Sequence, residues 1–264
     1  MTKKQLEDLK KWFFGYVATF YNTDALTNEN IKLKEDHTRR MCDDTLIITE
    51  TLGFNNEQKL LAETISLLHE TGRFKQYKRY KTYNDVGTEN HGLLGLQIIA
   101  EKKILDGLDS KEKEIIETAI RLHGEKDLPK ELAGDKKLFS QLIRDIDKLD
   151  IYNVMINRLD DFRKYPEKAK TTLGFSEKDK YSQTIIDAVM KNQTVSYEYI
   201  KTLNDMVIAI LGWTFDINFV ATLKEIQKRK LFDKLASFLP DNDDIRKLIT
   251  HIRQHVKKRT AANQ

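Results

Sequence analysis

Turn-forming residues are scarce in this sequence: 11 glycines and 3 prolines in 264 residues are too few for the many reversals of a β-sandwich or barrel. The one cysteine, Cys42, excludes an internal disulfide, and such a chain suits a reducing compartment. No run approaches the roughly 18 apolar residues that a membrane span requires. The opening MTKKQLEDLKKWFF carries charges where a secretory signal needs an unbroken apolar stretch. Neither sign of charge dominates, with 45 Lys and Arg interspersed among 41 Asp and Glu, so nothing suggests a nucleic-acid groove. The expectation is a cytoplasmic protein with no membrane partner and no specific nucleic-acid binding.

What is present favours helices. Hydrophobic residues make up 40% and charged residues 33%, the balance of long helices with one wet face, and the fold class predicted is all-α. Leu9, Trp12, Phe13, Tyr16, Val17 and Phe20 follow the helical rhythm of an inward stripe. Helices are predicted over about 28–52, from Asn55 to Gly72, from His91, from Ser110 to Gly124 and over about 135–162. Others are predicted to start near Ser176, Ser196, Asp216 and Asp241. The polar stretch Arg73–Asn90 reads as a long loop or a broken helix. No repeat or low-complexity linker divides the chain. A single domain over 1–264 is expected, with a core about 25–160 and a helical extension about 161–264.

The predicted inward faces carry an unusual load: His37, the adjacent His69 and Glu70, His91, His123 and Asp147. Burying so many imidazoles and carboxylates together requires compensation, because unpaired polar and charged groups are costly to bury. A divalent cation supplies it, since neutral imidazole nitrogens and carboxylate oxygens are its ligands. Six groups exceed what one ion with open positions needs, so two ions fit better. His69 and Glu70 point about 100° apart on a regular helix and converge on a metal only at a helix end or bend.

The strings DHTRR at His37, LLHETGRF at His69 and Glu70, NHGLLG at His91, AIRLHG at His123 and RDIDKLD at Asp147 occur in an order that resembles the HD superfamily of metal-dependent phosphohydrolases. The resemblance covers roughly residues 31–155 and fills all six ligand places of its binuclear members. It implies an HD-domain helical bundle with additional C-terminal helices. The implied cofactor is one or two divalent ions, with Mn, Fe, Ni and Zn equally compatible with His and carboxylate ligands. One departure stands out: the family's Asp is Glu70 here, one methylene longer.

The implied activity is cleavage of a phosphoester by metal-activated water, with Glu70, Arg73 and Asp147 as catalytic residues. The expected substrate is a small phosphorylated metabolite, a nucleotide being one candidate. Arg73 stands where related enzymes carry Lys or Arg, and its planar fork suits two phosphate oxygens; capping the end of the helix is its other reading. Lys78, Arg79 and Lys148 join Arg73 as candidate substrate ligands. Lys75 to Tyr83 alternate bases with aromatics, either to stack a nucleotide or as a solvated rim whose tyrosines pack on the domain. The same six ligands are also similar to those of HD-fold di-iron oxygenases, and a non-catalytic regulatory module stabilised by a metal is a third reading.

Overall fold

The computed structural model describes residues 1–165 and 180–262. The described residues contain helices and no strand, as the composition predicts. None of the described helices is long and apolar enough to cross a membrane. The helix start expected near Ser176 lies outside the described residues. The chain divides into two compact units, Met1–Asp147 and Lys148–Gln264, and the division falls inside one continuous helix.

The first unit contains α1 (Lys3–Ala18), α2 (Ala25–Thr51), α3 (Asn56–Leu68), α4 (Thr71–Tyr80), α5 (His91–Glu101), α6 (Ser110–Leu122) and the N-terminal part of α7 (Gly134–Lys164). Local chemistry sets most of the starts. Thr2 and Asn55 cap α1 and α3 in reciprocal boxes with Gln5 and Gln58, while Asp24 and Asn90 cap α2 and α5 through side-chain oxygens. The centre of the unit is α3, in which every residue from Leu61 to Leu68 is buried. It lies against α1, α2 and α6, and α4 packs along α5.

Of the two readings of the stretch from Arg73, the broken helix holds: it is helical as far as Tyr80, and only residues 81–90 form the connection to α5. The reason is tertiary. Phe74 and Tyr77 stand one turn apart and are buried, and Phe74 meets the rings of Phe13 and Phe20, each 5.9 Å away. Two apolar positions are too few to show a period in sequence, yet the pocket formed by α1 completes them. The helix stops at Lys81, whose φ of 55° is left-handed.

Gly72, expected to stop a helix, lies instead inside the first turn of α4. A Cβ there would overlap the carbonyl oxygen of His91 and lie 2.7 Å from the backbone nitrogen of Gly95. The residue is glycine because two helix backbones touch at this point, which brings the start of α5 against the junction of α3 and α4.

The second unit holds the remainder of α7 with α8 (Gln183–Met190), α9 (Leu203–Gly212), α10 (Val220–Lys228), α11 (Leu231–Ala236) and α12 (Asp243–Ala261). The buried Tyr152 hydroxyl lies 3.0 Å from both Ile210 O, to which it donates, and Thr214 Oγ1. The start expected near Ser196 is a single 3-10 turn at Tyr197–Tyr199, followed by α9.

Candidate metal centre

Two of the four histidines close helices and a third opens one. α3 stops at Leu68, His69 closes it, and Glu70, with φ −94° and ψ 7°, makes the bend before α4. This bend lets the two adjacent side chains face the same point. His91 is the first residue of α5 and His123 closes α6, so both imidazoles project from helix ends. His37 lies mid-helix on the inward face of α2, and Asp147 projects from α7.

Four imidazoles form a continuous series, with ring centres 5.5 Å apart from His37 to His69, 5.2 Å from His69 to His123 and 4.7 Å from His123 to His91. Glu70 joins them into two buried groups: His37, His69 and Glu70, and Glu70, His91 and His123, each with three ligand atoms within 4.8 Å of one another. Asp147 lies outside both groups, with Oδ1 3.4 Å from His37 Nε2 and 29% of its side chain exposed.

The hydrogen bonds fix which nitrogens face inward. His69 Nδ1 is 2.8 Å from Ser66 O, and its buried Nε2 has no hydrogen-bond partner. His123 Nδ1 is 2.6 Å from Ile120 O, and His91 Nδ1 is 2.7 Å from Asp85 Oδ2. A carbonyl or carboxylate oxygen only accepts, so each Nδ1 carries a proton, and the Nε2 of the neutral His69 and His123 rings presents a lone pair. His91 Nε2 and His123 Nε2 are 2.7 Å apart and both face the centre. One cation can be held by both, and the donor set, with the unpartnered His69 Nε2, fits a divalent metal.

Electrostatics point the same way. Burial pushes the His69 imidazole down to about 4, and burial together with the adjoining His91 takes His123 down to about 3. Burial alone would raise the Glu70 carboxyl, but the charges of Lys34 and Arg73 outweigh it and hold it well below the usual carboxylate range. Asp147 is likewise held low, the His37 hydrogen bond and the neighbouring histidines overcoming burial. Ionised carboxylates and neutral imidazoles are the forms that ligate metal.

These shifts carry a stability consequence for the metal-free protein. His69 and His123 stay neutral in the fold at pH values where their unfolded forms, near 6.5, take up protons. The unfolded chain therefore binds more protons below about pH 6.5, and stability falls as the pH falls towards 4. For each histidine the slope approaches about 1.4 kcal/mol per pH unit. Urea unfolding of chelator-treated protein should show a midpoint that drops between pH 7 and pH 5. A midpoint constant over that range contradicts the placement of the two rings.

Two residues absent from the sequence reading belong to this site. Asp85, on the 81–90 connection, receives the His91 Nδ1 proton and pairs through Oδ1 with Arg73 Nη1 at 2.7 Å; burial, outweighed by His91 and Arg73, leaves its carboxyl at about 2. Lys34 Nζ lies 2.7 Å from Glu70 Oε2. Asp85 lies in the string GRFKQYKRYKTYNDV, which resembles a segment of bacterial HD proteins without giving Asp85 a role, while Lys34 lies one turn before His37, a spacing that was a usable signal.

The candidate substrate residues are dispersed. Arg73 stands at the centre, its Nε 3.4 Å from Glu70 Oε1 and its Nη1 donating to Gln76 Oε1, Tyr83 O and Asp85 Oδ1. Lys78 and Arg79 are exposed, the first 5.7 Å from the centre of the Phe20 ring and the second paired with Glu89 at 2.6 Å. Lys148 pairs with Asp216 at 2.8 Å. Tyr77 and Tyr83 pack on each other with centres 4.9 Å apart, while Tyr80 is exposed.

A family model described as HD domain matches residues 35–152. No curated protein and no solved structure matches the chain.

Proposed function

Because residues 35–152 are an HD domain, a family of metal-dependent hydrolases, we propose that this protein cleaves a phosphoester of a small phosphorylated metabolite, most simply a nucleotide, at a centre of one or two divalent ions. The observation that supports this best is Glu70: one carboxylate common to two buried groups of three ligands, with two cationic side chains on it. His37, His69, His91, His123, Glu70 and Asp147 are the proposed ligands, and Mn, Fe, Ni and Zn all suit them.

A bound divalent ion supplies Lewis acidity and a water acidified towards neutral pH. The protein's own groups do the rest. Ser66 O and Ile120 O hold the His69 and His123 rings, and Asp85 holds that of His91, which turns three Nε2 atoms to the centre. Asp147 provides an ionised carboxylate at the more open edge. Arg73 Nη2 has no partner among the described residues, so it is the donor available to a phosphoryl oxygen, while Nη1 ties the guanidinium to the 81–90 connection. Such a charge, held in place beforehand, is suited to the transition state rather than the ground state.

The test is a panel of nucleoside mono-, di- and triphosphates, cyclic nucleotides and a chromogenic phosphate ester. Phosphate, pyrophosphate or an opened monoester should be released in a metal-dependent way and abolished by chelation. Arg73→Ala is expected to lower kcat and kcat/KM together by about 100-fold, more than it lowers metal content. Lys78→Ala should act mainly on KM. Oxygen consumption by the iron-loaded protein with an organic substrate, without phosphate release from any ester, replaces the hydrolase reading with an oxygenase. Stoichiometric metal with neither activity leaves a regulatory module.

A further inference from the structure

We propose that Lys34 is an anion-binding side chain that changes partner when the centre takes up a divalent ion: its ammonium leaves Glu70 and receives an oxyanion of the substrate. The proposal rests on the metal-centre reading above and deepens it. Lys34 precedes His37 by three positions in α2, so the two side chains emerge one turn apart on the same face. It lies just ahead of the segment matched as the HD domain. Its Nζ is 2.7 Å from Glu70 Oε2, and only 14% of the side chain is exposed.

Glu70 is the residue that both ligand groups share. Without a divalent ion its carboxylate needs a counter-charge, and Lys34 supplies one. A divalent ion bound by Glu70 competes with the ammonium for the same oxygens and repels it. The two cations on Glu70 then differ in what they have left. Arg73 retains Asp85 at 2.7 Å, whereas Lys34 has no second carboxylate among the described residues. An ammonium this enclosed is costly to leave unpaired. Its three donors suit a phosphoryl oxygen arriving from solvent.

The charge around the centre sets the order of binding. Glu70, Asp85 and Asp147 against Lys34 and Arg73 leave one net negative charge, which disfavours an anion. A single divalent ion reverses the sign. Metal therefore enters first and the oxyanion second, and by linkage each strengthens the other.

Isothermal titration of chelator-stripped protein with Mn²⁺, and with inorganic phosphate in the presence and absence of Mn²⁺, tests this on the wild type, Lys34→Met and Lys34→Arg. Wild-type protein should bind phosphate at least about tenfold more tightly with Mn²⁺ present. Lys34→Met should bind Mn²⁺ several-fold more tightly in the absence of phosphate, because a competitor for Glu70 is gone, and should bind phosphate about tenfold more weakly once loaded. Lys34→Arg should keep wild-type coupling. Opposite signs for the two ligands are what a merely structural lysine does not produce. If Lys34→Met loses both affinities together, or changes neither, the proposal is overturned and the metal centre stands. If the wild type takes up no Mn²⁺, Fe²⁺, Ni²⁺ or Zn²⁺, the metal-centre reading fails first and this proposal with it.

Discussion

Glu70→Ala protein is expected to lose divalent metal from both ligand groups at once, with affinity lowered by on the order of 100-fold or more. The double replacement of His91 and His123 with alanine should remove the second group and leave the first. The asymmetry follows from the geometry: Glu70 is the one residue present in both groups, while His37 and His69 serve only the first and His91 and His123 only the second. Removing the carboxylate also leaves Lys34 and Arg73 beside the centre without their shared counter-charge, so two positive charges then oppose any cation that enters. Elemental analysis of purified protein, with calorimetric titration of the stripped form, reads out both variants. Retention of two ions per chain by Glu70→Ala contradicts a shared ligand. Complete loss from the double histidine variant shows instead that the two groups bind as one coupled unit.

Gly72→Ala should be among the most damaging single methyl additions in the first unit. The new Cβ would meet backbone atoms of α5, the His91 carbonyl oxygen and the Gly95 nitrogen, and a backbone cannot rotate aside as a side chain can. Relief requires α4 and α5 to separate, at a cost of about 3 kcal/mol by the usual scale of overpacking. For a chain of this size that corresponds to a fall in Tm on the order of 10 °C. The separation would also draw His91 from Glu70, whose Oε1 now lies 3.4 Å from His91 Nε2, so metal affinity at the second group should fall with stability. Gly15→Ala serves as the control, because a Cβ there meets nothing within 4 Å. Equal melting temperatures for the two variants would contradict the close crossing.

The helices that carry the site were legible because their signals are local. The cap at Asn55, the inward stripes of α1 and α3, and glycines or prolines at the boundaries act within one or two turns. The expected bounds of α7, about 135–162, differ from the observed Gly134–Lys164 by one or two residues at each end. The bend at His69 and Glu70 was equally open to reading, since two adjacent ligands on a straight helix diverge. α4 was legible only as one of two alternatives, because its two buried aromatics make sense only against the rings of Phe13 and Phe20. Gly72 was misread for a related reason: a glycine demanded by a close helix crossing looks in sequence like a glycine that ends a helix.

By itself the sequence determined the all-helical class, the order of the six candidate ligands and the kind of atom each offers, because helical period and ligand chemistry are properties of residue type and spacing. Tertiary structure decided how those six divide: Glu70 shared between two buried groups, and Asp147 set at the open edge beside His37. It also decided which charges surround them. Asp85 and Lys34 come from a connecting segment and from the helix turn ahead of His37, while Lys78, Arg79 and Lys148 take other partners. The physical reason is range. A helix is specified over a few residues, whereas an ion pair or a second ligand depends on which helix ends meet, and that follows from packing contacts such as Gly72 on α5.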